Sequence, residues 1–221
     1  MVNNPAALSW NVEGCSEQYL RRGEGELEKK MKVVAISGSP RKQGNTDLLL
    51  RAVLQPLTEA GADTEFVELA GHAIRGCTAC YVCFHKKNGK CVLAKDLVND
   101  CLAKMVAADI ILLGSPNYFA DVTSEMKALL DRCGMVGRAN GDLFRRKLGA
   151  AVVASGRAGA IHAFDTMNHF FLINQMVVVG SNYWNIGIGP EMGEAADDQE
   201  GMETMRQLGE NMVWMLKKIK A

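Results

Sequence analysis

A three-layer α/β sandwich on a five-stranded parallel sheet is the fold this sequence predicts. Three observations carry it. Five short runs of β-branched and aliphatic residues recur along the chain, and helical stretches with one apolar face alternate with them. The first run also opens into a ten-residue polar loop, SGSPRKQGNT, before its helix begins. Such alternation marks parallel strands joined by crossover helices.

The strands are expected at 32–37 (KVVAIS), 63–69 (DTEFVEL), 109–115 (DIILLGS), 148–155 (LGAAVVAS) and 175–184 (QMVVVGSNYW). Between them, residues 46–57 place Thr46, Leu49, Leu50, Val53 and Leu57 on one helical face. Residues 97–107 align Leu97, Cys101, Leu102 and Met105, and 123–133 align Met126, Leu129, Leu130 and Cys133. The closing stretch 201–219 carries a stripe of Met205, Leu208, Met212, Met215 and Ile219, which reads as core packing. The segment 162–176 (HAFDTMNHFFLINQM) reads as either an interface or a helix buried on the sheet. One domain, 31–221, accounts for these elements, with an inserted cysteine-bearing segment at 71–95. Residues 1–30 show no strand alternation. They are expected to be an N-terminal arm packing on a partner subunit, or the product of a start codon placed too far upstream.

The chain has 221 residues, 48% hydrophobic and 23% charged, enough for one large domain with a proper core. Its formal net charge is zero, so no broad nucleic-acid footprint is expected. Apolar stretches reach only about eight residues, too short to span a bilayer. The N-terminus has no basic segment followed by an apolar block, so a cytoplasmic protein without a secretory signal is expected. Seven cysteines without an export signal favour metal or redox chemistry over a disulfide framework. Cys101 and Cys133 fall in helical patterns and read as small core residues.

Ligands of open parallel sheets bind at the carboxyl ends of the strands, so the first loop is the first candidate site. Ser37, Ser39 and Thr46 offer hydroxyls, Asn45 an amide and Arg41 a charged fork. Gly38 and Gly44 let backbone N–H groups turn toward an anion at the N-terminus of the next helix. The nucleotide P-loop does not match: Gly38 and Gly44 are one residue too far apart, and Asn45-Thr46 stands where Lys-Ser/Thr is required. The dinucleotide fingerprint is absent too. A monophosphate fits better and points toward FMN; a long polar turn capped by Asn45 or Thr46 is the alternative. After the third strand, SPNYF (115–119) supplies a rigid turn, backbone donors and two aromatic rings suited to a planar ligand. Tyr118 and Phe119 could equally just cover the sheet edge.

These two stretches, SGSPRKQGNT and GSPNYFADVTSEMKALLDR (114–132), resemble the flavodoxin-like NAD(P)H-dependent FMN reductases, and with the cysteines added, their iron–sulfur flavoprotein branch. The resemblance spans nearly all of 31–221. It implies a flavodoxin-like sheet of strand order 2-1-3-4-5 and an oligomer, dimer or tetramer. It implies further that Ser37, Ser39, Arg41, Gly44, Asn45 and Thr46 hold the FMN phosphate, and that Ser115, Pro116, Asn117, Tyr118 and Phe119 cradle the isoalloxazine ring. The loop Ser155, Gly156 and Arg157 would border the pyrimidine end, although Ser-Gly-Arg-Ala is not the double-glycine pattern expected there. Arg157 would stabilise an anionic reduced flavin, or is a surface arginine.

The segment CTACYVCFHKKNGKC has the spacing C-x2-C-x2-C-x7-C. Three thiolates in so tight a run converge as in iron–sulfur sites, and the turn HKKNG can return a fourth. Cys77, Cys80, Cys83 and Cys91 are therefore assigned to one 4Fe-4S cluster, as in the compact motif of the iron–sulfur flavoproteins. Zinc, a redox disulfide and cysteines that bind no metal are the rivals. The function expected is an FMN-dependent oxidoreductase passing electrons between cluster and FMN, served by a ferredoxin-like carrier or NAD(P)H. The alternatives are a cluster-free FMN or quinone reductase and a non-catalytic flavin- or zinc-binding module.

Overall fold

The computed structural model describes residues 30–220. The arm expected at 1–30, with Cys15, lies outside the described residues except for Lys30. The sheet consists of β1 (Lys32–Ser37), β2 (Asp63–Glu68), β3 (Ile110–Pro116), β4 (Leu148–Ser155), β5 (Val177–Val178) and β6 (Ile186–Ile188). All pairings are parallel, in the order β2-β1-β3-β4-β5, with β6 also on β4. The expected flavodoxin-like order is therefore the observed one.

Period-2 alternation along each central strand divides the core into two layers. Val33, Ala35, Ile110, Leu112, Ala150 and Val152 face α1 (Asn45–Glu59) and α6 (Gln199–Lys220). Val34, Ile36, Ile111, Leu113, Ala151 and Val153 face α3 (Val98–Ala107), α4 (Ser124–Ala139) and α5 (Ala160–Ile173). Cys101 and Cys133 are buried in this second layer, as their helical spacing predicts. Burial pushes the Cys101 thiol up to about 12, so it stays protonated and acts as a small apolar side chain. On α6 the buried stripe is Met205, Leu208, Met212 and Leu216; Met215 is only half-buried and Ile219 is exposed. Helices α1 and α6 cross at Gly209, where a Cβ would come within 2.4 Å of the Val53 carbonyl oxygen. Only glycine allows that approach.

The fifth strand differs from expectation. A strand over 175–184 would run straight along β4, but the ladder breaks after Val178 and resumes at Ile186. The chain loops out between them because polar side chains supply the missing bonds. Asn185 Nδ2 donates to the Ala151 carbonyl at 3.0 Å, and Ser181 Oγ donates to Asn185 Oδ1 at 2.7 Å. Tyr183 and Trp184, expected inside the strand, stand exposed on this excursion. The 162–176 segment is a helix on the sheet, burying Ala163, Met167, Phe170 and Phe171. Between β2 and α3 the cysteine segment contributes one short helix, α2 (Val82–Lys86).

Candidate functional site

At the carboxyl ends of β1, β3 and β4 the loops enclose a cleft of about 220 Å³. Ser39, Arg41, Gly44, Asn45 and Thr46 line one end, and Pro116, Asn117, Tyr118, Ser155 and Gly156 the other. The first loop folds on itself: Ser39 Oγ accepts from the Arg41 N–H at 3.1 Å, and Ser37 Oγ accepts from the Ser39 N–H at 3.3 Å. Gln43 takes a left-handed conformation with φ 55°, and its N–H donates to Asp47 Oδ2 at 2.7 Å. Burial raises the pKa of Asp47, and neighbouring Glu68 adds to the effect, while the Ser37 hydroxyl and the Gln43 N–H work against it. The opening N–H groups of α1, at Asn45 and Thr46, have no helical carbonyl to donate to.

The structure sorts the expected phosphate residues. Ser39, Arg41, Gly44 and Thr46 stand at the cleft. Ser37 is buried behind it, against Asp47. The Asn45 side chain is committed elsewhere, although the residue lines the cleft. Its Nδ2 donates to the carbonyls of Gly189 at 2.7 Å and Glu191 at 2.8 Å, and its Oδ1 accepts from the N–H of Gly193 at 2.8 Å. Asn45 thus clamps the segment after β6 onto the first loop, and brings in Gly189, Pro190 and Met192 as further cleft residues. A Cβ at Gly189 would lie 2.5 Å from the Ala195 nitrogen, so the clamp closes only on glycine. Sequence reasoning missed these three residues, although a Gly- and Pro-rich stretch after the last strand was the available signal.

In the second loop, Asn117 donates its N–H to the Ala154 carbonyl at 2.9 Å and its Nδ2 to the Ala158 carbonyl at 2.7 Å. Its Oδ1 is buried without a partner. Tyr118 and Asp121 exchange backbone hydrogen bonds across a tight turn, with Phe119 and Ala120 at φ 47° and 63°. That strain turns Phe119 wholly outward, off the cleft lining. Ser115 Oγ is buried, donating to the Pro116 carbonyl and accepting from the Thr123 N–H, so it braces the turn. Ser155 accepts from the Arg157 N–H at 3.4 Å, and Arg157 is exposed outside the lining.

A second, smaller cavity is lined by Cys77, Cys80, Cys83 and Cys91, with Tyr81, Val92, Met135 and Val136. Left-handed residues Ala79, Tyr81 and Lys87, at φ 51°, 56° and 45°, fold the chain tightly round it. Asn99 fixes the fourth cysteine: its Oδ1 accepts from the Cys91 N–H at 2.8 Å and its Nδ2 donates to the Cys91 carbonyl at 2.9 Å. Cys77 and Cys80 are exposed, Cys83 and Cys91 partly buried. Burial raises the Cys83 thiol pKa, and the Val82 N–H lowers that of Cys80. Among the described residues no three Cys, His, Asp or Glu side chains converge closely enough to hold a single metal ion. Arg132 of α4 is buried beside the cavity and donates from Nε to Cys91 Sγ at 3.4 Å. Sequence reasoning overlooked it, though its place on the apolar stripe with Leu129, Cys133 and Val136 marked it for burial.

A family model described as NADPH-dependent FMN reductase matches residues 31–191. The chain belongs to that family. Within it, the chain groups with the iron-sulfur flavoproteins. It is 41% identical over 197 residues to one from Methanocaldococcus jannaschii, covering 86% of this chain and 100% of the relative. A second, from Methanosarcina thermophila, is 31% identical over 191 residues, covering 86% and 97%. Among solved structures, RosB with its bound intermediate 8-demethyl-8-formylriboflavin-5′-phosphate superposes with a TM-score of 0.71 at 18% identity, covering 86% of this chain and 80% of RosB. An archaeal flavodoxin superposes at 0.54 and 17%, covering 86% and 100%. Family membership makes the protein an FMN-dependent oxidoreductase with a flavodoxin-like fold. No helix among the described residues is long and apolar enough to cross a membrane.

Proposed function

We propose that this oxidoreductase passes electrons between FMN in the sheet-edge cleft and a 4Fe-4S cluster on Cys77, Cys80, Cys83 and Cys91. The observation that carries the reading is two donor sets of different chemistry in one fold. One is a cleft with hydroxyl, guanidinium and N–H donors at one end and Pro116, Tyr118 and Gly156 with the Asn117 amide at the other; the second is four thiols round one cavity. A flavin exchanges one or two electrons and a cluster one, so together they split or merge electron pairs.

The hydroxyls of Ser39 and Thr46, Arg41 and the first N–H groups of α1 would hold the phosphate. Pro116, Asn117 and Tyr118, facing Gly156 and Pro190, would hold the ring, and the partnerless Asn117 Oδ1 is an acceptor suited to a ring N–H. Ser37, Ser115 and Ser155 support the loops, and Asn45 closes the cleft. At the cysteines, a single zinc ion needs four sulfurs at about 2.3 Å from one point. Four-cysteine zinc sites usually come as two C-x2-C pairs set well apart, whereas here the third cysteine follows the second after two residues, a spacing that favours the cluster.

Exposed Cys77 and Cys80 sit among Lys86, Lys87, Lys90, Tyr81 and Phe84, all exposed, which favours a small acidic one-electron carrier as partner over NAD(P)H. Exposed Ile161, Leu172 and Ile173 on α5, with Tyr183 and Trp184, support a homodimer or homotetramer. The test is Cys83→Ser, prepared without oxygen. It is expected to keep FMN, lose its iron and the broad visible absorption, and refuse electrons from reduced ferredoxin while dithionite still bleaches its flavin. Undiminished ferredoxin-dependent reduction in iron-free protein would refute the reading.

A further inference from the structure

All four hydrogen-bonding contacts found for the Arg132 side chain go to the cysteine segment and its borders. Nη1 donates to the Arg75 carbonyl at 3.0 Å and to the Asp96 carboxylate, Nη2 to the Leu93 carbonyl, and Nε to Cys91 Sγ. Asp96 accepts in turn from the N–H groups of Arg75 and Val98, each at 3.3 Å. One buried ion pair therefore fastens the chain just before Cys77 and just after Cys91. Residues 76–81 between these borders have no regular structure of their own. Packing alone does not explain a charge here, because an apolar side chain on that face of α4 would escape the desolvation cost.

We propose that Arg132 is the positioning residue of the cysteine centre and sets its reduction potential. It clasps both ends of segment 75–96, and its Nε–H bond to Cys91 Sγ favours the more negative, reduced form. The inference rests on the cluster reading above. Each electron taken up adds negative charge beside Arg132, and hydrogen bonds to ligating sulfur together with nearby charge are what tune such potentials. Asp96 pulls the other way, since its carboxylate opposes the added electron.

The experiment uses the full chain, prepared anaerobically, as wild type, Arg132→Lys and Asp96→Asn. Iron content, the cluster and FMN midpoints by redox titration, and hydrogen exchange of segments 75–96 and 37–46 are measured. Arg132→Lys keeps a positive charge but loses the fork and the Nε bond. Its cluster midpoint is expected to fall and segment 75–96 to exchange faster, with the FMN midpoint and segment 37–46 unmoved. Asp96→Asn keeps the Arg132–Cys91 contact and removes a negative charge, so its cluster midpoint is expected to rise. Loosening of a purely structural clasp would not move the two midpoints in opposite directions. Midpoints that stay put, or shift the same way, in iron-containing variants overturn the inference. If Arg132→Lys does not fold, Asp96→Asn decides alone: a raised midpoint supports the inference, an unchanged or lowered one overturns it. Wild type without iron would overturn the cluster reading itself and, with it, this assignment of potential.

Discussion

Thr46 is buried at the start of α1 with its methyl toward Gly114 and its residue surface on the cleft. Thr46→Val keeps that packing and removes one hydroxyl. A hydrogen bond to a charged group contributes about 1.5–3 kcal/mol, so FMN affinity is expected to drop at least about tenfold, measured by fluorescence titration with unchanged circular dichroism. Asp47 makes a prediction about pH. Its raised pKa means the folded state binds more protons than the unfolded one in the window from the ordinary carboxylate value up to the folded value. Its contribution to stability therefore falls as pH rises through that window and stays low above it. Asp47→Asn keeps an acceptor for the Gln43 N–H but cannot ionise. Relative to wild type, the variant is expected to gain stability between pH 3.5 and pH 7 in paired denaturant titrations; a constant difference would contradict the assignment. The polar types at the first loop were readable as candidate anion donors, yet spacing could not separate Thr46, which lines the cleft, from Ser37, buried behind it, and Asn45, whose side chain is committed to the segment after β6. That separation depends on side-chain direction in a turn, which composition does not encode.

At the scale of elements, the crossing of α1 and α6 turns on Gly209. Gly209→Ala gains about 1 kcal/mol of helix propensity. It also places a methyl 2.4 Å from a backbone oxygen that no rotamer change can move. Overpacking of that kind costs about 1–3 kcal/mol, so net destabilisation is expected, read as a lower denaturation midpoint at unchanged slope. Four strands were legible nearly to the residue: three are the apolar runs of buried parallel strands, and the edge strand DTEFVE shows itself by alternation instead. The fifth was misread where Asn185 replaces a ladder bond: QMVVVG has the composition of a strand, and the signal to leave the sheet is a side chain reaching the Ala151 carbonyl. Helix α4 shows what such tertiary facts do for the site. Its cap, Thr123, donates to the Gly38 carbonyl at 2.8 Å, and Arg132 lies nine residues further on. At 1.5 Å per residue the helix is a rigid strut of about 14 Å between the first loop and the cysteine segment.

At the scale of the whole molecule, the described residues are held by two apolar layers built by residues from Val33 to Leu216. The Met31 carbonyl accepts the Asp63 N–H at 2.7 Å, the first link of the sheet. A chain beginning at Met31 is therefore expected to keep the thermal midpoint and FMN affinity of the full chain; a lower midpoint or a changed oligomeric state would show that residues 1–30 hold it together. The Asn45 clamp joins distant parts of the chain, reaching Gly189 across 144 positions of sequence. A ribosome adding about 5–20 residues per second delivers the two halves of that clamp roughly 7–30 s apart. On the FMN reading proposed above, a nascent chain would display its phosphate donors long before the wall that closes over them exists. Cofactor loading is then expected of the released polypeptide, and a stalled or prematurely terminated product is expected to carry the loop without the wall that would retain the cofactor.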